Sequence, residues 1–205
     1  MLRDRADAGR RLAGVLSGME LADPVVLAVP RGGIIVGDEI AKGLGCDLDV
    51  VISKKITPPG EPEYAIGAVT GDGMIYRSRS WDLYKDHPRI QEEIEEKRRE
   101  VARRVLSYRK SMDYALKERD VILCDDGVAT GSTIMAILQW LPTRHPRRIV
   151  LAVPVMPKDM MSVIPVSDVV SLNTPSTFSS VGQFYNDFGQ VEDLQVRDIL
   201  RTYRE

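Results

Sequence analysis

Cysteine and histidine are scarce: the 205 residues hold two of each, Cys46 and Cys124, His87 and His145. Two thiols, each at or near an apolar segment, are too few for a disulfide scaffold and are expected as reduced core groups. The histidines stand in polar surroundings with no second ligand at useful spacing, which argues against a zinc site. Long hydrophobic runs are missing too. No stretch approaches the ~20 apolar residues needed to span a bilayer, and Arg3, Asp4, Arg5 and Asp7 leave no signal-peptide core at the start. A cytoplasmic protein without membrane contact is expected. The formal net charge is −2, so there is no basic footprint for nucleic acid, and small molecules are the expected partners.

What is present is an ordinary globular balance, 43% hydrophobic and 28% charged, in a length that suits one well-buried domain. The chain is organised around residues 121–133. Val121 to Cys124 form an apolar run without alternation, which suits a parallel strand covered on both faces. Asp125 and Asp126 follow at its C-terminal end. Gly127, Val128, Ala129, Thr130, Gly131, Ser132 and Thr133 then lead into a helical pattern from Ile134 to Trp140. A small-residue loop at a helix start directs backbone N–H groups at an anion. The two acids would repel that anion, so they suit a polyol or a metal held beside it. The plainer alternative is a strand end and a helix cap in another α/β domain. A Walker-type loop is excluded, because no lysine follows Gly131.

A second strand, loop and helix unit precedes it. Residues 24–30 read as a strand, Arg31-Gly32-Gly33 as the loop, and the helix closes at Gly43. The glycines allow close backbone approach, and Arg31 adds a fork of donors matched to phosphate oxygens, although a surface arginine at a plain turn would look the same. Two such cradles on neighbouring parallel strands imply a ligand with two phosphate groups.

The other elements are read more coarsely. Residues 4–19 fit an amphipathic helix, with Ala8, Leu12, Ala13, Val15 and Leu16 on one stripe. Residues 46–56 read as one strand ending in Ser53, Lys54 and Lys55. The Pro- and Gly-dense stretch after it, with a strand-like 65–69 inside, reads as a loop or hairpin outside the core, and Glu61 and Glu63 as surface charge. Residues 88–118 read as a long helix with Ile90, Ile94, Val101, Val105 and Leu106 on a narrow stripe, which suits either packing across the core or a homodimer contact. Strands at 147–156 and 168–173 flank a brief amphipathic segment at 159–163. All three phenylalanines, Phe178, Phe184 and Phe188, then cluster with Tyr185 among small polar residues. Such a set suits either a lid over a planar ligand or plain core anchoring.

The string from Asp125 to Thr133 resembles the fingerprint of the type I phosphoribosyltransferases, which bind 5-phosphoribosyl 1-pyrophosphate (PRPP). The resemblance implies an α/β fold over residues 1–205 as a single domain: a central mostly parallel sheet flanked by helices, a flexible loop or hairpin at 54–80, and a hood with the C-terminal segment at 173–205. It implies that Asp125 and Asp126 address the ribose hydroxyls, directly or through Mg²⁺ and water. The backbone from Ala129 to Thr133 would wrap the 5-phosphate, and Arg31, Gly32 and Gly33 would form the pyrophosphate loop, where many relatives have a cis peptide bond. Arg31 with Lys54 or Lys55 would draw charge onto leaving pyrophosphate, and Phe178, Phe184 and Tyr185 would cover the acceptor. A closer resemblance, carried by residues 29–33, 59–69 and 178–188, is to stand-alone bacterial and archaeal phosphoribosyltransferases of unsettled acceptor. Hypoxanthine and guanine enzymes place an aspartate near purine N7 where this chain has Ala129. The alternative function is a sensor or regulator that binds PRPP or a nucleotide without turnover.

Overall fold

A computed structural model describes residues 1–61, 64–109, 111, 113–166 and 168–204; the reading of Glu63 as surface charge falls outside them. In chain order the elements are α1 (Arg5–Leu16), β1 (Pro24–Ala28), α2 (Gly33–Leu44), β2 (Asp47–Val50), β3 (Ser53–Ile56), β4 (Gly67–Thr70), β5 (Ile75–Arg77), α3 (Trp81–Tyr84), α4 (Pro88–Arg109), β6 (Asp120–Cys124), α5 (Ser132–Trp140), β7 (Arg148–Val155), β8 (Asp168–Asn173) and α6 (Asp193–Arg201). Short 3₁₀ turns lie at Leu141–Arg144, Lys158–Ser162 and Val181–Phe184. The chain divides into two compact units, one of Met1–Val50, Ala115–Thr130 and His145–Glu205, the other of Val51–Tyr114 and Gly131–Arg144.

The first unit is α/β. Its sheet has five strands in the order β2-β1-β6-β7-β8, and every pairing is parallel. All five residues of β6 are buried, as an unalternating apolar run requires of a central strand. Leu27 lies in register with Leu123, and Ala28 with both Cys124 and Val50. The ends of β1 and β6 therefore finish side by side. The helix α1 is capped by the Asp4 side chain, which accepts from the Asp7 N–H, and buries Ala8, Leu12, Ala13 and Leu16. Val15 is left exposed, because it lies past one edge of the buried arc, about 90° from its centre. Packed against α1, α2 runs one residue past the expected stop, to Leu44.

The second unit holds an antiparallel three-stranded sheet, β3-β4-β5. The hairpin expected within 54–80 is present, β3 pairing antiparallel with β4 and β4 with β5, but it does not lie outside the core as expected. All of β4 is buried, together with Ile56 and Ile66. The single strand expected at 46–56 is two, β2 and β3, in different sheets. Val51 and Ile52 stay buried through the break, so hydrophobicity alone could not mark it. The helix α4 packs on β3 and β4 through Ile90, Ile94, Val101 and Val105 and ends at Arg109, short of the expected 118. Leu106 is exposed, one step round from the stripe. The indole of Trp140, at the end of α5, donates to Asp72 at 2.7 Å, and Arg144 donates to the same carboxylate oxygen at 2.6 Å.

Candidate active site

The two strand ends of the first unit meet at van der Waals range. At the end of β1 the chain turns through a cis Pro30–Arg31 peptide into Gly32 and Gly33. At the end of β6 stand Asp125 and Asp126. A Cβ placed on Gly32 would fall 1.8 Å from Asp126 Oδ2, and one on Gly33 would fall 2.9 Å from the Asp125 Cα. Only glycine at both positions lets the turn lie against the acids. The Asp126 N–H donates to Asp125 Oδ1 at 2.8 Å, so the two acids are also locked to each other. Desolvation of the Asp125 carboxyl, reinforced by the adjacent Asp126 charge, pushes its pKa well above the usual carboxylate range.

Beyond the acids, the Val128 N–H donates to the Val155 carbonyl at 2.9 Å, which ties the loop to the neighbouring strand. Val128 is buried while Ala129 and Thr130 are exposed. The chain leaves the first unit at Thr130, and Gly131, in the left-handed region at φ 73°, opens α5. Gly131, the N-cap, makes no side-chain cap bond, and Ser132 and Thr133 are the first two residues of the helix. This is the arrangement of an anion-binding helix N-terminus.

Ala129 and Thr130 also line a cavity of about 870 Å³ in the first unit, with Pro157, Lys158, Asp159, Met160, Ser176, Phe178 and Ser179. The three expected hood residues divide. Phe178 is on the cavity wall. Phe184 stacks behind it at 5.4 Å between ring centres and packs on the small cluster of Leu2, Ala8 and Tyr185. Tyr185 is buried, and its hydroxyl donates to the Asp126 carbonyl at 2.6 Å. Desolvation raises its pKa, so the phenol stays a donor.

Two of the cations expected at the pyrophosphate, Arg31 and Lys54, have acidic partners. Arg31 lies 3.7 Å from Asp193 and 4.0 Å from Glu192, at the start of α6. Lys54, on β3 in the second unit, pairs with Glu100 of α4 at 2.6 Å. Burial works to raise the Glu100 pKa, but the hydrogen bond and charge of Lys54 outweigh it, and the net shift is downward. Lys55 follows Lys54 on β3, in register with Ala68.

One residue escaped the sequence reading. Arg5, in the first turn of α1, donates from Nε to Asp126 Oδ2 at 2.7 Å and from Nη1 to the Gly189 carbonyl at 2.7 Å. Its guanidinium carbon lies 3.8 Å from the centre of the Phe188 ring. Nothing local signals this, since Arg5 and Asp126 are 121 positions apart.

The chain belongs to the phosphoribosyl transferase domain family, whose profile matches residues 2–188. It is 37% identical over 98% of its length to a Mycobacterium tuberculosis (strain H37Rv) protein named "Putative phosphoribosyl transferase", and it spans about half the length of that relative, 47%. The crystal structure of TT1426 from Thermus thermophilus is 41% identical and superposes with a TM-score of 0.85 over 98% of both chains. The fold is thus that of the type I phosphoribosyltransferases, and within the family the chain resembles the stand-alone proteins whose acceptor is unsettled.

Proposed function

We propose that the chain is a Mg²⁺-dependent phosphoribosyltransferase that moves the 5-phosphoribosyl group from PRPP to a planar nitrogenous acceptor of nucleobase type and releases pyrophosphate. The observation that carries this reading is the contact of the Gly32–Gly33 turn with Asp125 and Asp126, which supports taking them as a pyrophosphate loop beside a ribose-binding acid pair. In this reading Asp125 and Asp126 take the ribose hydroxyls and the backbone of the loop from Ala129 to Thr133 takes the 5-phosphate. Gly32, Gly33 and Arg31 hold the pyrophosphate. The bond from C1 to the pyrophosphate oxygen breaks as the acceptor nitrogen bonds to C1, so no protein nucleophile is required. Positioning and charge stabilisation carry the rate. Phe178 offers a ring face to the acceptor.

Two adjacent carboxylates fit Mg²⁺, which commonly takes one or two protein carboxylates and fills its remaining positions with water and substrate oxygens. Among the described residues no group of three or more His, Cys, Asp or Glu side chains gathers as a metal site; in this reading the cation binds together with PRPP. When bound it would offset the charge of the pyrophosphate oxygens. The pairing of Arg31 with Glu192 and Asp193 favours a second reading, a sensor that holds a ribose phosphate without turnover.

A pyrophosphate-release assay over a panel of purines, pyrimidines and other nitrogen heterocycles, run with PRPP and with or without Mg²⁺, separates the two readings. Release with at least one acceptor, only when Mg²⁺ is present, is the expected result. Binding of PRPP by calorimetry with no release across the panel would establish the sensor.

A further inference from the structure

Arg5 has no part in the transfer described above, yet it is built onto the acid pair. Its side chain is 12% exposed and that of Asp126 17%, and they meet at 2.7 Å. The guanidinium is itself fixed from three sides, by Asp126, by the Gly189 carbonyl and by the face of Phe188. Its backbone is fixed as well, because it opens α1 directly after the Asp4 cap. Tyr185 holds the same acid from behind through the Asp126 carbonyl. Side chain and main chain of Asp126 are therefore both restrained by groups outside the loop that carries it.

Physical chemistry gives this restraint a purpose. A carboxylate beside a second carboxylate tends to turn outward into water, where the repulsion is screened. A cation on one oxygen offsets the repulsion and fixes the plane of the group. The guanidinium also sits 2.9 Å from where a Gly32 Cβ would be, so Arg5, Asp126 and the Gly32 turn form one packed set.

We propose that Arg5 is a positioning residue for Asp126: it holds Oδ2 so that the acid presents a fixed edge to the ribose hydroxyls of PRPP. This rests on the reading of Asp125 and Asp126 as the ribose grip. Arg5 acts through the acid and meets neither PRPP nor the acceptor.

The test is a double-mutant cycle on PRPP affinity, measured by calorimetry in the presence of Mg²⁺ on the 205-residue chain. Arg5→Gln weakens binding by roughly 10- to 100-fold, the usual range for losing a residue that orients a ligand-binding group. Arg5→Lys, which keeps the charge but not the fork, falls between. In an Asp126→Asn background Arg5→Gln costs nothing further, because the group it orients is gone. Parent-like affinity of Arg5→Gln, or losses that simply add in the double variant, would overturn the proposal. If Arg5→Gln does not fold, the same cycle is run with Arg5→Lys: loss only in the parent background supports the proposal, and equal loss in both backgrounds, or none in either, overturns it. A parent chain that binds no PRPP would instead refute the site reading itself, and the inference with it.

Discussion

Gly32 and Asp126 touch across two strands: the space that a Gly32 Cβ would need is already filled by Oδ2 of Asp126, 1.8 Å away. Arg5 closes the same space from the side, its Nε 2.9 Å from that Cβ position. A methyl group there must displace either the acid or the turn. Gly32→Ala should therefore remove PRPP binding and lower stability by about 1–3 kcal/mol, the usual cost of overpacking. Calorimetric titration and a denaturation curve check both, and parent-like binding would show that the turn can yield without harm.

Asp125 gives a prediction with opposite signs for stability and function. Its folded-state pKa is raised above the usual value near 3.8, so the folded state favours the protonated form. That contribution to stability is full below the usual carboxylate pKa and is lost as the pH rises through the folded-state value. Asn at this position imitates the protonated acid. Asp125→Asn should match the parent in acid and exceed it in melting temperature at neutral pH, while losing PRPP affinity. A variant less stable than the parent at pH 7 would count against this account.

Arg31 should behave as a surface residue in stability and as a site residue in catalysis. Its pairs to Glu192 and Asp193 are long, and those acids are 62% and 44% exposed. Such pairs contribute at most about 1 kcal/mol. Arg31→Ala should leave the melting temperature nearly unchanged, lower turnover strongly and spare nucleoside monophosphate binding, since a monophosphate leaves the pyrophosphate loop empty. Equal losses in turnover and monophosphate binding would place Arg31 elsewhere.

The aromatic segment should split along the lines that the structure draws. Phe178→Ala should raise the acceptor KM with little change in PRPP affinity, because Phe178 lines the cavity beside Ala129 and Thr130. Phe184→Ala should lower stability first, since Phe184 packs on Leu2, Ala8 and Tyr185. Tyr185→Phe removes only the hydroxyl on the Asp126 carbonyl, a loss of about 0.5–1.5 kcal/mol. An acceptor KM that responds to Phe184→Ala and not to Phe178→Ala would reverse the assignment.

Ala129 bears on the acceptor itself. In the transfer direction an oxopurine sheds a ring proton as its nitrogen bonds to C1, and Ala129 offers no carboxylate to take it; losing a positioned proton-transfer group costs on the order of 10²- to 10⁴-fold in rate. Hypoxanthine and guanine should be poor acceptors in the panel. Turnover with hypoxanthine equal to that of the best acceptor would show that another group takes the proton.

By itself the sequence determined the parallel core and the two glycine-bearing strand ends. These are local signals: apolar runs without alternation at β1 and β6, and small residues where backbone must approach a ligand or another strand. Paired acids followed by a Gly, Ser and Thr loop are equally local, so Asp125 to Thr133 could be read without any contact known. The tertiary structure alone decided what those residues touch. That the apolar run at 46–56 divides between two sheets is a matter of backbone pairing, which a buried pattern does not encode. The stretch 54–80 reads as a loop or hairpin outside the core because it is rich in Pro and Gly, yet packing of α4 and α5 on β3, β4 and β5 supplies the burial that brings its strands into a core. Where Tyr185 sits was hidden for the same reason, because an aromatic ring reads alike whether it faces a cavity or is buried with its hydroxyl on the Asp126 carbonyl. Arg5 stood 121 positions from Asp126, and only the folding of α1 beside the end of β6 brings a cation from the start of the chain onto the acid it holds.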